Sequence, residues 1–243
     1  MSLKLISLNI EARKHFQLVI PFLKKAEADI VCLQEVFQKD VAYLETALSL
    51  KAAFVPLWYL SEQENYHSGN LQKEVWGMAI LSRLSLTNTQ HQYYFGQAKP
   101  LLTYTGPGSS GRALLWTTVT KNHQSFTVAN AHFTWAKPET ADQIQAKPLQ
   151  KLLDILKTIP EFVLCGDFNA PRGQKTWTTL ASLYHDSLPL NITTTIDPQL
   201  HQAGPLQLVV DGLFSSPQYL VKNIYLQTGL SDHQAIIAEI TKL

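Results

Sequence analysis

The most informative segment of the chain is Val163-Leu164-Cys165-Gly166-Asp167-Phe168-Asn169-Ala170-Pro171-Arg172. An apolar run rich in β-formers stops at a glycine, an acid and an amide follow on alternate positions, and a proline closes the turn. Side chains two apart on extended backbone face the same way. Asp167 and Asn169 are therefore predicted to project together from the end of a buried strand, where sheet proteins place much of their chemistry. Taken alone, Gly-Asp-x-Asn is equally an ordinary strand-ending turn, because all three residue types favour turns. The rest of the chain has to decide.

Working outward, the same arrangement recurs. A first strand over 3–9 ends at Asn9, and a continuously apolar strand over 29–35 ends at Gln34-Glu35. A buried strand over 76–81 ends at Ser82-Arg83. Strands over 113–120 and 125–132 form a hairpin around residues 121–124, and the second ends at His132. Strands over 207–214 and 235–240 carry Asp211 and follow Asp232-His233. Between them lie helical patterns with Phe16, Ile20 and Leu23, with Val41, Leu44, Ala47 and Leu48, with Leu149, Leu152, Leu153 and Leu156, and over 176–183. Pro21 makes the first helix either start there or kink, and Pro148 is expected to begin the regular part of the third. Polar loops are predicted over 61–73, 96–111 and 191–204.

Strands outnumber helices, and both hairpins and strand–helix–strand units occur. That mixture suits an α/β fold of two packed sheets with helices on their outer faces, although composition alone allows one large mixed sheet. With no repeat, low-complexity tract or linker, 243 residues are expected to form a single domain, 1–243. A net charge of +1 provides no global field for a polyanion. Cys32 and Cys165 lie in apolar runs and read as reduced core thiols or as one disulfide. No signal peptide or membrane-length apolar run is visible, so a cytoplasmic protein, monomeric and without a transmembrane segment, is the expectation.

The polar residues at the strand ends are acids, amides and two histidines, with no cysteine cluster. Hard oxygen ligands of this kind favour Mg²⁺ or Mn²⁺ over zinc, and suit phosphoryl chemistry, in which a cation offsets charge on phosphate oxygens.

Seven segments then resemble, in order and over almost the whole chain, the endonuclease/exonuclease/phosphatase superfamily. They are Ser7-Leu8-Asn9, Leu33-Gln34-Glu35-Val36, Gly77-Met78-Ala79-Ile80-Leu81-Ser82-Arg83, Asn130-Ala131-His132, Gly166-Asp167-Phe168-Asn169, Val210-Asp211-Gly212-Leu213-Phe214 and Ser231-Asp232-His233. The resemblance implies a four-layer α-β-β-α sandwich with its site at one end of the two sheets. It also implies metal-dependent cleavage of phosphoesters, a phosphodiesterase or nuclease first and a phosphatase of a small metabolite or lipid head group second. The partner is then a phosphodiester or phosphomonoester, nucleic acid among them.

By the same resemblance, Glu35 is the principal metal carboxylate, Asp232 a second, and Asn9 binds the metal or orients the phosphate. Asp167 orients or deprotonates the attacking water, and Asn169 donates to the phosphate. His233 contacts the phosphate with Asp211 as its carboxylate partner, and His132 is the candidate acid for the leaving oxygen. Glu74 would set a carboxylate against His132, and Arg112 would contact phosphate. Independently of the resemblance, Trp135, three residues past His132 in a predicted rim loop, is placed to stack on a base, sugar or ring or to pack beneath the loop. Two positions depart from the pattern. Phe37 stands where deoxyribonuclease I-like enzymes tend to carry arginine, which weakens a double-stranded DNA assignment. Gly212 replaces an aromatic.

Overall fold

In the computed structural model, which describes residues 2–60, 74–106 and 109–243, the pleat of the first strand sorts the interior into two layers. On β1 (Leu3–Asn9), Leu3 and Leu5 enter one buried cluster and Ile6 and Leu8 another. Period-two alternation with both faces apolar is what a strand covered on both sides requires.

The chain continues through α1 (Phe16–Ala26), β2 (Ile30–Phe37), α2 (Val41–Leu48), β3 (Lys51–Leu60), β4 (Glu74–Ser82), β5 (Leu86–Phe95) and β6 (Leu102–Thr103). Then come β7 (Arg112–Lys121), β8 (Gln124–His132), α3 (Ala141–Leu156), β9 (Val163–Asp167), α4 (Lys175–Leu183), β10 (His185–Asp186), β11 (Asp211–Ser215), β12 (Tyr219–Gln227) and β13 (Ala235–Lys242). One sheet has the order β12-β13-β1-β2-β4-β3-β6 and the other β10-β11-β9-β8-β7-β5, so two mixed sheets, rather than one, make the fold. Val19, Leu23 and Leu44 cover the first sheet from α1 and α2. Trp177 of α4 packs edge-on against Phe168 and Phe214 beside the second. The result is the expected α-β-β-α sandwich.

Both prolines lie inside their helices. Pro21 is the sixth residue of α1 and Pro148 the eighth of α3. A proline removes one N–H and crowds one carbonyl; burial of Val19, Ile20 and Leu23, and of Leu149, Leu152, Leu153 and Leu156, outweighs that loss. The strand expected from residue 207 begins only at Asp211, because its partner β9 already ends at the paired Asp167. The β7–β8 hairpin turns on Asn122 and His123, both at positive φ, the geometry of a two-residue turn that matches strand twist. The loop expected over 61–73 lies outside the described residues.

Two glycines are dictated by neighbours. Gly166 has φ +139° and pairs in parallel with Ala131, whose carbonyl oxygen a Cβ would overlap. Gly166→Ala is therefore expected to destabilise the protein by about 3 kcal/mol or more, read as a lower midpoint in denaturant unfolding. Gly212, which replaces an aromatic, faces the Phe168 ring 2.9 Å from where its Cβ would stand. Phe168 fills the space that such an aromatic would otherwise take.

Candidate active site

The second sheet aligns three functional side chains by register alone. His132, the last residue of β8, pairs with Asp167, the last of β9, and Asp167 pairs with Asp211, the first of β11. All three are buried. From the first sheet, Asn9 reaches across and donates from Nδ2 to Asp167 Oδ2 at 3.2 Å, while its Oδ1 accepts the Glu11 N–H at 3.2 Å. Asp232 and His233 arrive on the loop that leads into β13.

Asp167 and Asn169 do converge, but not by strand alternation. The strand stops at Asp167 and Asn169 adopts φ +48°. Its backbone N–H donates to Asp167 Oδ1 at 2.8 Å, and its Nδ2 lies 3.3 Å from Asp167 Oδ2 and 3.1 Å from the Phe133 carbonyl. This is a side-chain-to-backbone turn of the kind aspartate favours.

Glu35 is likewise aimed by a local irregularity. On β2, Ile30, Cys32 and Phe37 face the inner core, whereas Val31, Leu33 and Val36 face the helices. The pleat changes phase because the register with β4 shifts between Leu33 and Val36, and Glu35 sits at the shift with φ +58°. A bulge of this kind re-aims a side chain at some cost in strain. Asn130 supports it from the opposite sheet, donating from Nδ2 to the carbonyls of Leu33 and Ala79 at 3.0 Å each and accepting from Gln34 Nε2 at 2.7 Å. Gln34 and Asn130 stood in the quoted segments without a role; only the two-sheet packing reveals it.

The electrostatics are set by burial. Glu35 is pushed up to about 8 by burial, then by the charge on Asp232, against opposing effects of Asn9 and His233. Asp167 is raised to about 6, first by burial and also by Asp211, while His233 and hydrogen bonds from Asn169 and Asn9 pull the other way. Burial also raises Asp232. The two histidines are shifted in opposite directions. Burial, then Arg112 and His233, hold His132 well below an ordinary imidazole. Burial also works against the charge on His233, but Asp211, bonded to Nδ1 at 2.8 Å, with Asp167 and Asp232, outweighs it and holds His233 well above. Asp167 Oδ2 lies between them, 3.5 Å from His132 Nε2 and 4.0 Å from His233 Nε2.

Glu11, a further acid beside Asp232, is itself paired with Lys14 and His15. Among the described residues neither Glu35 nor Asp232 is ion-paired with a lysine or arginine, and the two repel one another. That surplus fits a hard divalent cation held by Glu35 and Asp232. Atoms of Asp167, Asp211 and His233 also lie within 4.8 Å of one another. They suit a cation less well, because His233 and Asp211 bond each other and Asp167 already accepts from Asn9 and Asn169. Asn9 is engaged at both ends of its amide and serves first as a brace between Asp167 and the Glu11 turn.

A cleft of about 580 Å³ opens over this cluster, and Glu35, His132, Asn169, Asp232, Arg112 and Trp135 all line it. Arg112 is buried, its guanidinium 4.7 Å from the Trp58 ring and Nη1 donating to the His132 carbonyl at 3.3 Å. Trp135 is 44% exposed, as a rim residue would be. Glu74 is a correction. It is buried at the start of β4, but its carboxylate pairs with Lys39 and it does not line the cleft. His132 Nδ1 meanwhile has no hydrogen-bond partner among the described residues. A lysine 35 positions away leaves no trace in a local spacing argument. Glu11 also lines the cleft, although no strand end or turn signal marks it in the sequence.

The sequence pattern of the Endonuclease/Exonuclease/phosphatase family matches residues 6–233. No curated protein matches the chain significantly. Among solved structures, a family protein from Beutenbergia cavernae superposes with a TM-score of 0.76 at 17% identity, over 99% of this chain and 72% of that one. The mannosyl-6-phosphatase of Bacteroides thetaiotaomicron gives 0.69 at 15% identity, over 99% and 100%. The catalytic domain of human Nocturnin with bound sulfate gives 0.70 at 19%, over 100% and 95%. At such identities the likeness concerns the fold, and the family match carries the assignment. The chain belongs to the endonuclease/exonuclease/phosphatase family of phosphoester hydrolases.

Proposed function

We propose that this protein is a divalent-metal-dependent phosphodiesterase acting as one domain. The observation that carries this reading is geometric: Asp167 Oδ2 lies between two imidazoles, 3.5 Å from His132 Nε2 and 4.0 Å from His233 Nε2, and Asp211 bonds His233 Nδ1 at 2.8 Å. Hydrolysis of a phosphoester needs a group to take a proton from water and groups to steady charge on the phosphate. Asp167, with its carboxyl near 6, is ionised at neutral pH yet basic enough to draw a proton from water. Its orientation is fixed by Asn9 and by the Asn169 backbone.

Asn169 Nδ2 and the His233 imidazolium supply donors for the phosphoryl oxygens, and Asp211 keeps that imidazolium charged. His132 enters neutral. A phosphate anion beside it would add to the negative charge of Asp167 and Glu35, 3.5 and 3.7 Å from its Nε2, raising its proton affinity toward a donor's for the leaving oxygen. Arg112 fixes its backbone from below. A Mg²⁺ or Mn²⁺ ion held by Glu35 and Asp232 would supply charge neutralisation on phosphate and leaving oxygens.

The charge of the cleft favours a diester. Glu35 and Asp232 stand against Arg112 as the one lining residue of fixed positive charge among the described residues, while Glu11 is already paired with Lys14 and His15. A diester carries a single negative charge, whereas a monoester at neutral pH carries close to two. With Mg²⁺, bis(p-nitrophenyl) phosphate is expected to turn over at least tenfold faster than p-nitrophenyl phosphate. Its rate is expected to rise with pH as Asp167 deprotonates near 6 and to fall on the alkaline side as His233 loses its proton. Faster monoester cleavage would transfer the assignment to the second reading, a phosphatase of a small metabolite or lipid head group. That reading draws on Phe37, which packs edge-on against Trp76 where an arginine would offer a guanidinium; Lys39, 5.4 Å over the Phe37 ring, is committed to Glu74.

A further inference from the structure

One wall of the cleft does not belong to the reaction chemistry. Of the chain's five tryptophans, Trp58, Trp76 and Trp135 line this single cleft, joined by Tyr104 and Leu60. Trp58 is the centre of the wall. Its ring stacks on Trp76 at 5.9 Å and 15°, meets Tyr104 at 6.4 Å and His132 at 5.9 Å, and carries the Arg112 guanidinium. The wall therefore adjoins the phosphate centre directly through His132.

Its polar atoms are also unusual. Trp76 Nε1, Ser110 Oγ, Arg112 Nε and His132 Nδ1 are all buried without a hydrogen-bond partner among the described residues, and all four residues line the cleft. Buried donors without partners are rare in folded proteins and call for an explanation such as a missing ligand. The acids of the cleft lie apart from these groups in kind, and Arg112 stands as the one fixed positive charge among the described lining residues. A polynucleotide would need a run of such cations along its backbone.

Resting on the phosphoesterase reading, we infer that the Trp58–Trp76–Tyr104–Trp135 wall is a subsite for a flat aromatic ring attached to the substrate's phosphate. The substrate is then a compact, nucleotide-sized phosphoester and not a long polyanion. Flat rings stack favourably on aromatic side chains. The ring's acceptor atoms would meet donors that the protein leaves unpaired.

Binding tests this without turnover. Asp167→Asn protein with Mg²⁺ would be titrated with AMP, ribose 5-phosphate and a twelve-residue oligothymidylate, by calorimetry and tryptophan fluorescence. AMP is expected to bind at least tenfold more tightly than ribose 5-phosphate and to alter the fluorescence. Trp135→Ala or Tyr104→Ala, each added to that protein, is expected to narrow the preference at least threefold, with near-ultraviolet circular dichroism confirming the fold. Equal affinities for AMP and ribose 5-phosphate would overturn the ring subsite, as would a preference untouched by both substitutions. An oligothymidylate binding more than tenfold tighter than AMP would overturn the compact substrate. Failure of the phosphodiesterase reading looks different: wild-type protein would leave bis(p-nitrophenyl) phosphate intact while the AMP preference persisted.

Discussion

Asp167→Asn is expected to lower turnover of a phosphodiester by about two to four orders of magnitude while leaving the fold intact, measured as kcat on bis(p-nitrophenyl) phosphate beside thermal unfolding. The carboxylate stands where every functional element meets: paired across two strands with His132 and Asp211, held by Asn9 from the other sheet and by Asn169 from the turn. The amide keeps the shape and can still accept from the Asn169 N–H. What it loses is the proton affinity that lets the wild-type group act near pH 6. The acid limb of the pH–rate profile should disappear with it. Residual activity close to wild type, with an unchanged acid limb, would remove Asp167 from the reaction.

Glu35→Gln should give the second large effect, in two opposite directions. Removing the carboxylate is expected to weaken Mg²⁺ or Mn²⁺ binding at least tenfold, since a neutral amide replaces one of two anionic ligands. The metal-free protein, by contrast, should gain stability at alkaline pH. The Glu35 carboxyl is raised from 4.5 to about 8 in the native state, so between those values the folded protein holds a proton that the unfolded chain has released. Stability of the metal-free wild type is therefore fully present below about 4.5 and declines as pH rises through 8. At pH 8 to 9, Glu35→Gln should exceed wild type by about 2 kcal/mol, less than the full 1.36 kcal/mol per unit because a fifth of the side chain meets solvent. Near pH 4.5 the gap should close. A substitution that destabilises at every pH would mean that Glu35 supports the bulge by packing, with no electrostatic tension for a cation to relieve.

The same tension explains why metal uptake should release protons. Two acids that repel in a buried site cannot both ionise freely until a cation neutralises them. Stability and function conflict here, as they commonly do where a binding site is held ready.

Local chemistry in the chain determined a good deal by itself. Apolar runs closed by Gly, Asn or acid marked the strand ends, and period two and period 3.6 separated strands from helices. The ordered segments around Asn9, Glu35, His132, Asp167, Asp211 and His233 sufficed for the family and for the α-β-β-α layering. These are properties of neighbouring residues, which a linear reading can weigh. The tertiary structure alone decided the rest. The bulge that points Glu35 inward depends on its register with β4 and on Asn130 reaching over from the other sheet. The opposite shifts of two chemically identical imidazoles arise because burial disfavours charge on both and each then meets a different neighbour, Arg112 for one and Asp211 for the other. Glu74 went to Lys39 instead of His132 for the same reason. Burial makes each such pairing decisive, because a charge that water no longer screens must answer to the few groups it touches, and those come from distant parts of the chain.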